Sequence, residues 1–448
     1  ATSLLQQARG DVGLALSEAW PALPSVGKRR ALRLLFQVRA GGERLAPRDR
    51  AVLRSALRDS NSEISESAFK LASERFETDG SLLEELALSA TSQGDRAAKV
   101  IAHSGAQSAF GSLLEILKAP EASARPALRE ALATAYGNES GDQHLTKRRS
   151  ELAPWLEHGP SARPIAERVS LALALAPVAA AHALVSPWLA ELSQEAQAFS
   201  DQWRLVQAAR ALPSEAHGDA WLDHTARTAE PWMLRAAALE ALAVRSRSLA
   251  EPLAEHALSD AYPRVRASAV AILAAQPQAF ARLQKTVPED KWFLVRRVAL
   301  ETLPDTPEAR RWFVSALQDG AAVVRASAVA ALQRVGDATA WPAIKPLLDN
   351  AEQYPEVLAE GVSYARALCV TAAIPSLRGI AVRGLKQDAW SADQDLALSA
   401  LDALSTLGGE AAVWARDHAK GPNVPKAVQL SAAAAAARTT ACTPESMP

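Results

Sequence analysis

The densest cluster of groups able to do chemistry is His217-Gly-Asp219-Ala-Trp-Leu-Asp223-His224. On a helix, two imidazoles seven residues apart and a carboxylate between them meet across two turns, an arrangement able to hold a divalent metal. Transition-metal sites need three or four convergent ligands, and the same run also reads as a turn, an N-cap aspartate and an exposed helix face. The second reading is the expectation. None of the eight histidines falls in an HExxH, CxxCH or His-x-Glu…CxxC pattern. There is no Gly-rich phosphate loop and no GxSxG elbow, and Ser, Lys and Tyr are too dispersed for a triad. The sequence therefore predicts no catalytic residue, no metal and no cofactor.

The two cysteines are too few for a disulfide framework and lack metal-ligand spacing. Cys369 reads as a small buried apolar residue in a helical pattern, and Cys442 falls in the C-terminal tail.

Two features suit binding better than catalysis. The first is a basic run: Lys28, Arg29, Arg30, Arg33, Arg39, Arg44, Arg48, Arg50, Arg54 and Arg58 stand against only Glu43 and Asp49. Arg50, Arg54 and Arg58 form an i, i+4, i+8 stripe beside Val52, Leu53, Ala56 and Leu57. Such a stripe can dock an anion, or it is a solvated face offset by acids of other segments such as Glu84 and Glu85. The second is an aromatic series, Trp203, Trp232, Tyr262 and Trp292, spaced about one repeat apart. Each ring either staples its own turn or stands in a row along one edge as a binding ridge.

The elements that must carry these residues are helices. Ala, Leu and Arg dominate, all strong helix formers, and strand-like alternation of β-branched residues is missing. Leu234, Ala238, Ala241 and Leu242 set a pattern that recurs from Val265 to Leu273, Val295 to Leu303, Val324 to Leu332 and Leu396 to Leu404. The offsets 0, 4, 7 and 8 mark one helix face, with Ala where a neighbouring helix approaches closely. The first four copies start 29 to 31 residues apart, and a degenerate copy fits between Pro355 and Leu368. Fainter copies lie upstream, at Ile64 to Ala72 and at Ala124 to Leu132. Shorter amphipathic segments alternate with these helices, so the fold class expected is all-α: an α-α superhelix of about thirteen stacked helix pairs.

Within the clearest repeats, residues 230–335, an aspartate ends the turn between the paired helices and an arginine follows six residues on. The pairs are Asp260 with Arg266, Asp290 with Arg296, and Asp319 with Arg325; Glu230 with Arg235 is a near-copy. These repeats resemble the HEAT-repeat family, in its short bacterial form. The resemblance implies a HEAT-type α-solenoid in which the aspartates and arginines form a hydrogen-bonded ladder between adjacent turns. Iron-bearing HEAT-type hydroxylases use repeated His-Glu pairs, whereas this chain has only the reverse, Glu157-His158 and Glu255-His256. Nothing beyond the shared repeat points to the bilin lyases or alkylpurine DNA glycosylases that also use it.

The expectation is one continuous array over residues 1–438, followed by a tail over 439–448 that frays unless held. The function expected is that of a non-catalytic scaffold or assembly subunit that binds a protein partner on its concave or edge surface. The alternatives are a nucleic-acid-binding solenoid using residues 28–58 and, behind it, a HEAT-type lyase or other enzyme. Near-equal numbers of basic and acidic residues, 49 and 50, give no overall field for nucleic acid or an anionic membrane. With only 11 lysines among the basic residues, the Arg and Ala bias fits a GC-rich bacterial genome. No run is long and apolar enough to span a bilayer. An opening Ala1 fits a removed Met or signal peptide, so a soluble protein of either cytoplasm or periplasm is expected.

Overall fold

The computed structural model describes residues 16, 18–38, 46–74, 81–104, 109–118, 125–137, 151–157, 162–214, 216–276, 278–386, 389–420, 424, 426, 429–430 and 442. No strand occurs among them. The chain divides into two compact units, Ala1–Thr225 and Ala226–Pro448, each described by itself.

In the first unit α1 (Ser25–Val38), α3 (Ser62–Glu74), α5 (Ser92–His103), α7 (Pro126–Gly137), α8 (Ile165–Leu175) and α10 (Phe199–Ala211) succeed one another as an inner layer. Against them pack α2 (Pro47–Leu57), α4 (Ser81–Ala87), α6 (Ala109–Leu117) and α9 (His182–Glu195). The divide between units falls within α11 (Ala216–Thr228).

The second unit repeats the scheme. Its inner helices are α12 (Trp232–Arg245), α14 (Pro263–Ala274), α16 (Phe293–Thr302), α18 (Ala322–Arg334), α20 (Pro355–Ala367) and α22 (Ser391–Leu407). Its outer helices are α13 (Arg247–Ala257), α15 (Ala279–Leu283), α17 (Pro307–Ala316), α19 (Trp341–Asp349), α21 (Ile374–Gly384) and α23 (Gly409–Ala419). No described helix is long and apolar enough to cross a membrane.

The repeat pattern explains the packing. The residue at offset 4, Ala238, Ala269, Ala299, Ala328 or Ala400, is sealed from solvent in all five clear copies. The leucines at offset 8, from Leu242 to Leu404, are buried equally well. In the degenerate copy Gly361 takes the alanine's place. A β-carbon there would stand 2.2 Å from Leu348 Cδ1, so the Leu348 side chain of α19 fills the space an alanine methyl takes in the other copies. Offset 7 of that copy is Tyr364, whose buried hydroxyl donates to Asp337 O; burial pushes its pKa up. Proline opens α2, α7, α14, α17 and α20, where its missing N–H costs no intrahelical bond. Thr91 and Thr306 cap α5 and α17 by accepting from Gly94 N and Ala309 N.

The cysteines correct the sequence reading. Cys369 is not a buried apolar residue: it is half-exposed, lies just past the end of α20 and is bonded to Cys442 in a disulfide. Composition counts cysteines but says nothing of which turns meet, and here residues 73 apart in sequence stand with their Cα atoms 5.7 Å apart. The tail is held at Cys442, whose N–H also donates to Thr406 O on α22.

Candidate functional site

The turns that open the inner helices of the second unit carry two superimposed series. One is electrostatic. Arg235 donates from Nε and Nη2 to both oxygens of Asp260 at 2.7 and 2.9 Å. Arg266 does the same to Asp290, and Arg296 to Asp319, all at 2.7 to 2.8 Å. Each arginine thus reaches the aspartate of the following repeat, while its Nη1 donates back to carbonyls of its own turn, Ala229, Asp260 and Asp290. Each aspartate also accepts an N–H two residues on, from Tyr262, Trp292 and Ala321. The carboxylates are mostly buried, and burial opposes their ionisation. The arginine hydrogen bonds, the turn N–H and the flanking guanidinium charges outweigh it, so all three titrate below the usual aspartate range. Arg325 ends the series. Its Nη1 donates to Asp319 O, but its Nη2 meets an amide, Gln353 Oε1, and its buried Nε has no partner among the described residues.

The other series is aromatic. Trp232 is the first residue of α12, and Tyr262 and Trp292 are the N-caps of α14 and α16. Trp232 is half-buried and stacks on Tyr262 at 5.9 Å, ring against ring across two repeats rather than under its own turn. Arg264 lies over Trp232 and Arg235 over Tyr262, each 5.8 Å from the centroid. Tyr262 is 48% exposed and Trp292 51%. Sequence reasoning missed the rest of the row. Tyr354 is the N-cap of α20 and 58% exposed, and Trp390 is the N-cap of α22 and 83% exposed. Five of the six inner helices of this unit, among the described residues, thus open on an aromatic ring; the exception is α18, capped by Ala321. Neither Tyr354 nor Trp390 is followed by a ladder arginine, so the motif that locates the first three rings passes over them. Trp203 belongs to the first unit, one turn into α10, where it packs 6.1 Å from Phe199 with both rings partly exposed.

The basic run lies in the first unit. Arg54 and Arg58 both reach Glu85 on α4, at 2.7 and 3.2 Å, while Lys28 pairs with Asp59 at 2.7 Å and Arg29 with Glu63. Arg50 also has a partner. Arg39 and Arg44 lie outside the described residues. Asp219 is buried and accepts from Ser214 Oγ; the His217 side chain is outside those described, and no group of three or more possible metal ligands occurs among the rest.

No family model matches the sequence, and no curated protein matches it. Solved structures do match by fold. The karyopherin Kap121p bound to the SUMO protease Ulp1p matches with a TM-score of 0.53 at 12% identity, over 94% of this chain and 51% of its own. Importin beta matches with a TM-score of 0.52 at 12% identity, over 97% of this chain and 68% of its own. The chain thus spans about half the length of Kap121p. At such identities the likeness defines the fold alone: this is a HEAT-like α-solenoid.

Proposed function

We propose that the chain is a non-catalytic scaffold that binds another protein along the aromatic edge of its second unit. The observation that carries this reading is the run of exposed rings, Tyr262, Trp292, Tyr354 and Trp390, at the starts of four of the five inner helices from α14 to α22. Packed helices stand about 9–10 Å apart, so such a row offers flat apolar surfaces, with one gap at Ala321, to an extended segment or the side of a helix. Aromatic side chains bury large area at low entropic cost, which is why they concentrate where proteins bind proteins. A fold of this kind holding a protein, as Kap121p holds Ulp1p, is consistent with the reading.

The competing reading, a nucleic-acid binder using the basic run, is disfavoured by the ion pairs on that face. Glu85 takes up both Arg54 and Arg58, leaving less unpaired charge to displace counterions from phosphates.

The test compares capture of proteins from the source cell by the wild-type chain, a Trp292→Ala, Trp390→Ala variant and an Arg54→Ala, Arg58→Ala variant. The expected result is a discrete protein kept by wild type and the arginine variant and lost by the aromatic variant, with melting temperatures unchanged. Capture that survives loss of both rings, or that turns into salt-sensitive retention of nucleic acid lost with the arginines, would reject the proposal.

A further inference from the structure

The turn after α20 has a counterpart one repeat earlier, and the two differ at one telling position. After α18, Gly336 at φ +68° lets its N–H reach Gln333 O and the next N–H, of Asp337, reach Leu332 O, each at 3.0 Å. This is the Schellman closure of a helix, whose left-handed residue is ordinarily glycine. After α20 the same closure appears 33 residues on: Cys369 N–H reaches Arg366 O at 3.4 Å, and Val370 N–H reaches Ala365 O at 2.9 Å. A 3₁₀ turn follows at the same spacing in both, Ala338–Ala340 and Thr371–Ala373. Here, however, the left-handed residue is Cys369, at φ +52°, the sole non-glycine residue with positive φ among those described. A β-carbon disfavours that conformation, so a cysteine in a glycine position needs a compensating interaction.

Cys442 supplies it. Besides the bond between the sulfurs, the Cys442 N–H donates to Thr406 O at 3.0 Å, in the last turn of α22, which packs against α20. One residue of the tail therefore joins the ends of two neighbouring inner helices and covers a carbonyl that the helix end leaves free. A bond closing a loop of 73 residues restricts the unfolded chain strongly.

We infer that Cys369 and Cys442 form a site of oxidative modification, a covalent clasp on the C-terminal repeats, and that the chain matures in a compartment that oxidises thiols. The reaction is thiol–disulfide exchange. One cysteine thiolate attacks the disulfide of an oxidoreductase or of oxidised glutathione and releases one of its thiols. The second cysteine thiolate then displaces the other from the mixed disulfide. Two electrons pass to the donor, which leaves fully reduced, and the two protons of the cysteines are taken up by its released thiolates. Such bonds persist outside the reducing cytosol.

The test is thermal unfolding of wild type, Cys369→Gly and Cys442→Ser, each with and without dithiothreitol, together with alkylation of the native protein by iodoacetamide before and after reduction. The native protein is expected to take up label only after reduction. Without reductant both variants should melt lower than wild type, by roughly 5–10 °C. With reductant Cys442→Ser should match wild type, whereas Cys369→Gly should melt higher, because glycine suits the left-handed turn. That reversal separates a clasp from simple packing, which would lower the melting point of Cys369→Gly under both conditions. Free thiols in the native protein, or a Cys369→Gly variant lower under both conditions, would overturn the inference.

Discussion

At the scale of single residues, the ladder arginines are where the fold is most exposed to one substitution. Arg296 joins Asp319 of the next repeat to the Asp290 carbonyl of its own, in a seam that is largely closed to solvent. Arg296→Ala leaves a carboxylate in that seam without its bidentate partner, and the expected loss of stability is about 1–3 kcal/mol. Arg296→Lys restores a charge but not the planar fork, so it should recover only part of the loss. Urea unfolding of the three proteins measures both effects. The six-residue spacing of aspartate and arginine made this series visible in the sequence. It does not say that each arginine takes the next repeat's aspartate, since that depends on how neighbouring layers are set. Tyr354 and Trp390 went unread because their turns lack the ladder pair. The cysteine pair went unread because it rests on a meeting of distant turns that no local pattern encodes.

At the scale of elements, the alanine and leucine face was enough to read helix pairs and all-α packing, because burial of that face forces stacking. It was not enough to locate the closest approaches. At Gly384, the last residue of α21, a β-carbon would lie 1.8 Å from the Asp393 carbonyl oxygen at the start of α22. The obstacle is backbone rather than a movable side chain, so Gly384→Ala should open that turn and cost about 3 kcal/mol, measurable by urea unfolding. The ladder also gives these elements a pH dependence. Asp260, Asp290 and Asp319 have folded-state pKa values below the unfolded one. Their contribution is complete above the ordinary aspartate pKa of about 3.9 and is lost as pH falls from there through the depressed values. Melting temperature should therefore fall across that acid range. In Arg296→Ala it should fall less steeply, since Asp319 then titrates nearer its unfolded value. Parallel pH profiles of the two proteins would contradict the electrostatic role assigned to the ladder.

At the scale of the whole molecule, near-neutral charge gives no long-range attraction for a polyanion, so the proposed partner would have to be held by a shaped, local surface. The surface proposed for it is the aromatic edge of the second unit, and α18 leaves a vacancy there at Ala321, between Trp292 and Tyr354. A photoreactive phenylalanine analogue placed at Ala321 tests the central claim without removing any ring of the row. Illumination in the source cell should join the chain to one discrete protein partner, while the same analogue at Leu249 on the outer helix α13 should give none. No adduct from Ala321, or the same adducts from both positions, would contradict a partner held along the aromatic edge.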